Sequence, residues 1–180
     1  LTSCIVPRPI AWVTTMDKNG ILNAAPFSFF TGVSIEPPLL LFAVERRKGA
    51  KKDTVVNIEE NHEFVVNVVT KLNVNQMNVT SQDFSPKEDE LELAQLTPIP
   101  SIHVKVPGIK ESPIQMECRS YQLIEVGSSP HTLVIGEVLG IRVQDELMAD
   151  GRIAMPSLQA VGRMGGKFYT QTGELFELAR

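Results

Sequence analysis

The feature that most constrains this chain is its opening pair of β-prone segments, joined by a hairpin signal and ending in a kink. Ile10-Ala11-Trp12-Val13-Thr14-Thr15 is short, β-branched and aromatic, and Asp17-Lys18-Asn19-Gly20 follows it with the Asn-Gly pair that favours tight hairpins. The returning segment, Asn23-Ala24-Ala25-Pro26-Phe27-Ser28-Phe29-Phe30, is interrupted by small residues and a proline. Pro26 removes one ladder donor and implies an edge or a bulge. Ala24 and Ala25 carry almost no side chain, so a flat ring can approach their backbone closely. The same residues also fit an ordinary irregular edge strand with nothing bound.

Further strands are expected at Leu39 to Glu45, Phe64 to Val69, Ile114 to Glu125 and Thr132 to Gln144, the last with glycines at 136 and 140 that suit a bend at a barrel corner. Glu36-Pro37-Pro38 ends the element that precedes Leu39 to Glu45. A short helix should begin at Asp53 or Thr54 as its N-cap, with Val55 and Ile58 on its inner face, and close at Asn61-His62. Leu72 to Ser81 reads as a second short helix. The polar stretch Asp83 to Pro100 is long for a structureless loop, so some helix is expected within Glu88 to Gln95. Strands dominate and helices are few and short. The fold class is mainly β, a Greek-key barrel with helices packed outside. At 180 residues, positions 1–180 form a single domain, large enough to bury a core without staples.

A net charge of −4 argues against general nucleic-acid binding, which needs a basic footprint. Cys4 and Cys118 have no Cys-x-x-Cys spacing and the three histidines are scattered, so no structural zinc site is expected. Both cysteines are read as reduced and buried. The longest apolar run, Leu39 to Val44, falls far short of the ~20 residues that cross a bilayer, and no membrane association is expected. No basic-then-apolar leader opens the sequence, and the expectation is a cytoplasmic protein.

Several motifs occur together in a fixed order. Pro7-Arg8-Pro9-Ile10-Ala11-Trp12 and Asn23-Ala24-Ala25-Pro26-Phe27-Ser28-Phe29-Phe30 are followed by Ser112-Pro113-Ile114-Gln115-Met116-Glu117-Cys118, by His131-Thr132-Leu133-Val134-Ile135-Gly136-Glu137-Val138, and by Arg163-Met164-Gly165-Gly166-Lys167-Phe168-Tyr169. This series, from Pro7 to about Tyr169, resembles the flavin-reductase-like, FMN-binding split-barrel family, which includes NAD(P)H:flavin oxidoreductases and flavoredoxins. The resemblance implies a split β-barrel, bound FMN, and NADH or NADPH as a transient co-substrate. No Gly-x-Gly-x-x-Gly follows a strand, so a nicotinamide would bind over the flavin rather than in a Rossmann domain.

An FMN site needs an anion pocket, a narrow slot for the ring, and donors that tolerate charge on the ring when it is reduced. Arg46-Arg47-Lys48 and Lys51-Lys52 lead into a helix start, a combination that suits phosphate, although such a run also fits a solvated loop. By resemblance, Lys52 and Thr54 border the phosphate, while Asp53 caps or orients. Thr14 and Thr15 are candidates for cofactor hydroxyl contacts, with one of the two facing inward. Asn23, Ala24, Ala25, Pro26, Phe27 and Ser28 would serve the ring edge and ribityl chain, as the matching family segment does, with Phe27 a wall and Trp12 core. His131, at a loop end, would position the nicotinamide or stabilise reduced flavin, and is the one catalytic candidate. Arg163 is a cofactor contact on the same resemblance.

The function implied is an FMN-binding oxidoreductase, an NAD(P)H-dependent flavin reductase that hands reduced flavin to a partner monooxygenase. The alternative is a flavoredoxin-like electron carrier that exchanges electrons with a redox partner protein without nicotinamide turnover. A third is a binding module with no flavin. A homodimer is expected from the resemblance and from a barrel with few covering helices.

Overall fold

A computed structural model describes residues 1–85 and 87–179. The predicted hairpin forms from β1 (Ala11–Met16) and β2 (Leu22–Phe27), paired antiparallel from Ala11 opposite Phe27 to Met16 opposite Leu22. Asp17 shapes its turn, accepting from the amides of Asn19 (2.8 Å) and Ile21 (2.7 Å), while Gly20 takes the positive φ of 88° that a Cβ would resist. After the break at Ser28-Phe29 come β3 (Phe30–Ile35) and β4 (Pro38–Val44), then α1 (Asp53–Asn61) and β5 (Glu63–Val68). Helices α2 (Val74–Val79) and α3 (Glu90–Leu93) lie within the two regions expected to be helical. The short pair β6 (Pro98–Ile99) and β7 (Gly108–Ile109) precedes the long hairpin β8 (Ile114–Val126) and β9 (His131–Val143). The chain finishes with β10 (Met148–Ala149), β11 (Arg152–Ile153), α4 (Met155–Leu158), β12 (Val161–Arg163) and β13 (Tyr169–Gln171).

Seven strands form one antiparallel sheet in the order β2-β1-β5-β8-β9-β4-β3. Its two outermost strands, β2 and β3, are consecutive in the chain and separated by only Ser28 and Phe29. The sheet must therefore curl until its ends meet. Phe29 O accepts from the Ala43 amide (2.9 Å), and Phe27 stacks on Phe42 with ring centroids 5.3 Å apart. The result is the expected split barrel, with β2 on an open edge where Pro26 costs no ladder bond.

Period-2 alternation sorts the side chains into two cores. Ala11, Val13, Phe27, Phe42, Phe64 and Val66 fill the barrel. Trp12, Ala24, Met77, Leu91 and Ile109 lie outside it, under α2 and α3. The Trp12 indole donates to Thr80 Oγ1 (2.9 Å) and so anchors α2 to the sheet. The structure corrects two local expectations. The N-cap of α1 is Lys52, without a side-chain cap, not Asp53 or Thr54. Cys4 is exposed in the N-terminal turn, because the chain joins the sheet only after Pro9, whereas Cys118 is buried in β8 and burial pushes its thiol up.

Candidate functional site

A cleft of about 1250 Å³ runs along the outer side of β2. Its walls are the loop before α1, helix α2 and the segment after β12. Asn23, Ala25, Pro26 and Ser28 line it from β2 and the residue that follows; Lys52 and Thr54 come from the α1 start, and Arg163 from the end of β12. These seven predicted residues, far apart in sequence, share one cavity. Among the described residues lining it, six are basic (Arg8, Arg47, Lys51, Lys52, Arg163, Lys167) and four acidic (Glu45, Asp53, Asp83, Glu90). The cleft is thus locally cationic in a chain of net charge −4.

At the α1 end, the amides of Val55 and Val56 return to Lys52 O (2.9 and 3.2 Å), while those of Asp53 and Thr54 have no acceptor among the described residues. Free first-turn amides beside cations are a combination that can bind an anion. Lys52 Nζ lies 3.4 Å from Glu45 Oε1 and 5.8 Å from the centre of the Phe27 ring. Such a half-exposed pair is weak, so an incoming dianion competes with Glu45 easily. Asp53 titrates above the usual carboxylate range because burial outweighs the opposing charge of Arg47.

Asn23 is held from three sides. Its Nδ2 donates to Glu90 Oε1 (2.9 Å), and its Oδ1 accepts from Thr54 Oγ1 (3.0 Å) and Thr15 Oγ1 (3.2 Å). Thr15 in turn accepts from Asn57 Nδ2 (3.0 Å). Glu90 Oε2 takes the Ala24 amide (2.9 Å), which an edge strand would otherwise leave open. Burial, with help from the charges of Asp53 and Asp89, raises the Glu90 pKa to about 7 against the pull of its two donors.

Five predicted site residues lie outside this cleft. Thr14 is fully buried and donates to Pro107 O (2.8 Å) on the opposite face of the sheet, and Thr15 reaches the site only through Asn23. Ala24 packs under Trp12 with its amide taken by Glu90, and Phe27 belongs to the barrel core. Strand alternation puts Ala24 in the outer cluster with Trp12 and Ala25 against the barrel core, where Ala25 is half-buried and still lines the cleft. His131 begins β9 opposite Val126, its Nδ1 3.2 Å from Ser129 O, and does not line the cleft of its own chain. Arg163 is a lining residue, but its guanidinium is engaged by the Tyr169 hydroxyl and by Gly166 O (2.6 Å).

Arg8 and Glu90 are lining residues that the sequence did not single out. Glu90 sits in an acidic run with no local mark of its partner 67 positions away. Arg8 lies in the Pro7 to Trp12 motif, yet its place on the cleft wall depends on contacts with Ser28 and Met164.

The arrangement defines a class: a split β-barrel with a cationic cleft along an open edge strand, suited to a flat ligand that carries a phosphate. The chain belongs to the flavin reductase like domain family, whose model matches residues 2–158. Nitrilotriacetate monooxygenase component B from Bacillus cereus is 42% identical with a TM-score of 0.95, over 98% of this chain and 90% of that one. The 2-nitrobenzoate 2-nitroreductase of Pseudomonas fluorescens is 34% identical, TM-score 0.91, over 99% and 87%. Flavoredoxin of Desulfovibrio vulgaris (Miyazaki F), 24% identical, shares the fold with a TM-score of 0.86 over 97% of this chain and 92% of that one.

Proposed function

We propose that the protein holds FMN in this cleft and passes hydride to it from NADH or NADPH, supplying reduced flavin to a partner monooxygenase. The observation that carries the reading is the coincidence, along one edge strand, of a small-residue wall at Ala25 and Pro26 with unpaired helix amides and Lys52 at one end. The residues present fit the group. Asp53 and Thr54 amides with Lys52 would hold the phosphate, and the Asn23 to Ser28 wall would hold the ribityl chain and ring. FMN supplies the hydride-accepting ring; the protein contributes position and charge. The cleft exceeds the ~300–1,000 Å³ usual for one small ligand, leaving space for a nicotinamide beside the flavin.

His131 joins this reading through a homodimer, in which the β8–β9 hairpin of one protomer approaches the cleft of its partner. A cytoplasmic location accords with the reaction; among the described residues no helix is long and apolar enough to cross a membrane. The second reading, a flavoredoxin-like electron carrier, uses the same cofactor without nicotinamide turnover.

Purified protein reconstituted with FMN should show a flavin spectrum, and mixing with NADH or NADPH in a stopped-flow instrument should bleach it. No bound flavin would refute the site, and bound flavin that neither nicotinamide bleaches would favour the electron carrier. Lys52→Ala should weaken FMN by about 10-fold or more while leaving riboflavin nearly unaffected, since a charge-assisted hydrogen bond contributes roughly 1.5–3 kcal/mol. Equal weakening of both ligands would move the phosphate elsewhere.

A further inference from the structure

Arg8 is a buried cation, 5% exposed, with no carboxylate partner among the described residues. Its guanidinium is held by neutral acceptors from three parts of the chain. Nε donates to Ser28 Oγ (3.3 Å), Nη1 to Ile5 O (2.8 Å) and to Thr2 O, and Nη2 to Met164 O (3.1 Å). The backbone is pinned as well, by reciprocal bonds between Arg8 and Arg163 of 2.9 and 2.8 Å. A charge so fixed, in a region of low dielectric and on the wall of the cleft, acts more strongly on a neighbouring ligand than a solvated lysine does.

Ser28 transmits this charge in a defined sense. Because its Oγ accepts from Arg8, its own O–H must donate elsewhere, and Ser28 lines the cleft. Arg8 and Ser28 also stand at the opposite end of the β2 wall from Asn23 and Thr54. Five residue steps along an extended chain take Asn23 to Ser28, on the order of 16 Å. The α1 amides, tied to the Asn23 end through Thr54, serve the phosphate, so the Arg8 end faces the other electron-rich part of a bound flavin, its ring.

Resting on the flavin reading above, we propose that Arg8, acting with Ser28, binds the reduced flavin more tightly than the oxidised one and so raises the reduction potential of the bound cofactor. Hydride transfer oxidises the dihydronicotinamide to the nicotinamide cation and leaves the flavin with two more electrons and one proton. The reduced ring then carries one negative charge, which the fixed guanidinium and the Ser28 hydroxyl meet without reorganising.

The test is an anaerobic titration of apoprotein with oxidised FMN and with dithionite-reduced FMN. For Arg8→Met, affinity for reduced FMN should fall at least about 10-fold more than affinity for oxidised FMN, equivalent to a drop in potential of about 30 mV for a two-electron couple. Arg8→Lys, which keeps the charge, should recover part of that ratio. Should Arg8→Met fail to fold, Ser28→Ala is read in its place and should lower the same ratio by about 3-fold. Equal weakening of both redox forms makes Arg8 a purely structural tie and overturns the proposal, as does an unchanged ratio in Ser28→Ala. Failure of the flavin reading itself is recognised separately, in wild-type protein that takes up neither form.

Discussion

Glu90 does for β2 what a neighbouring strand would do, accepting the outward Ala24 amide, and it also orients the Asn23 side chain. Its ionised form is an acceptor at both bonds, yet burial raises its pKa from 4.5 to about 7. Between those values the native chain binds a proton that the unfolded chain lacks, so stability declines as pH rises from 4.5 towards about 7 and levels off above it. The contribution is on the order of 3 kcal/mol. Glu90→Gln should flatten this part of the profile, narrowing the gap in Tm between about pH 5 and about pH 8. Parallel Tm profiles for the two proteins would show that another group governs the slope. The sequence pointed to Asn23, Ser28 and Lys52, which line the cleft, because each lies in a local pattern: a kinked strand, or a basic loop at a helix start. Glu90 was hidden because Asn23 and Ala24 lie 67 and 66 positions away, and Arg8 because its hold on the cleft wall needs Ser28 and Met164, 20 and 156 positions away, together.

At the scale of elements, β8 and β9 show how glycine placement bends the barrel. The register shifts between Glu117 and Cys118, opposite Gly140 and Val138, and again between Ser120 and Gln122, opposite Gly136 and Ile135. The expectation that both glycines sit at bends agrees with these bulges, but their surroundings differ. A Cβ on Gly136 would lie 2.2 Å from Cζ of Phe64, a fully buried ring packed edge-on against Phe42 at 5.5 Å. A Cβ on Gly140 would meet the His103 ring at 2.4 Å, but that side chain belongs to an exposed residue. Gly136→Ala should therefore cost about 1–3 kcal/mol by overpacking the core, and Gly140→Ala clearly less, because His103 can swing into solvent. Urea unfolding of the two variants measures the difference, and equal losses would mean that strand geometry rather than the Phe64 contact sets the cost. Glycine in a strand announced a bend; which ring it faced emerged only from the three-dimensional register.

For the whole molecule, the closure of the barrel was the least legible feature. Each strand could be read from its own β-branched run, whereas the placement of β2 and β3 at opposite ends of a curled sheet follows from pairings between distant segments. That closure leaves β3 as an edge strand with Val33 and Ile35 exposed, and leaves Tyr121 and Ile141 exposed on the long hairpin. Unpaired edges and exposed apolar side chains are the surfaces that soluble proteins cover by association. A homodimer is therefore expected, with a mass by light scattering near twice the 19.9 kDa of one chain at micromolar concentration. Ile35→Lys, at a residue 91% exposed and so removed from the core, should shift the mass towards the single chain without unfolding it. If the partner's hairpin brings His131 to the cleft, His131→Ala should leave FMN affinity nearly intact and slow flavin reduction by about 10- to 1000-fold, the usual effect of one lost positioning contact. The monomeric Ile35→Lys variant should be slowed in the same way, since it loses the same imidazole. A wild-type mass of one chain would sink the dimer, and an unchanged single-turnover reduction rate in His131→Ala would leave that residue a surface histidine.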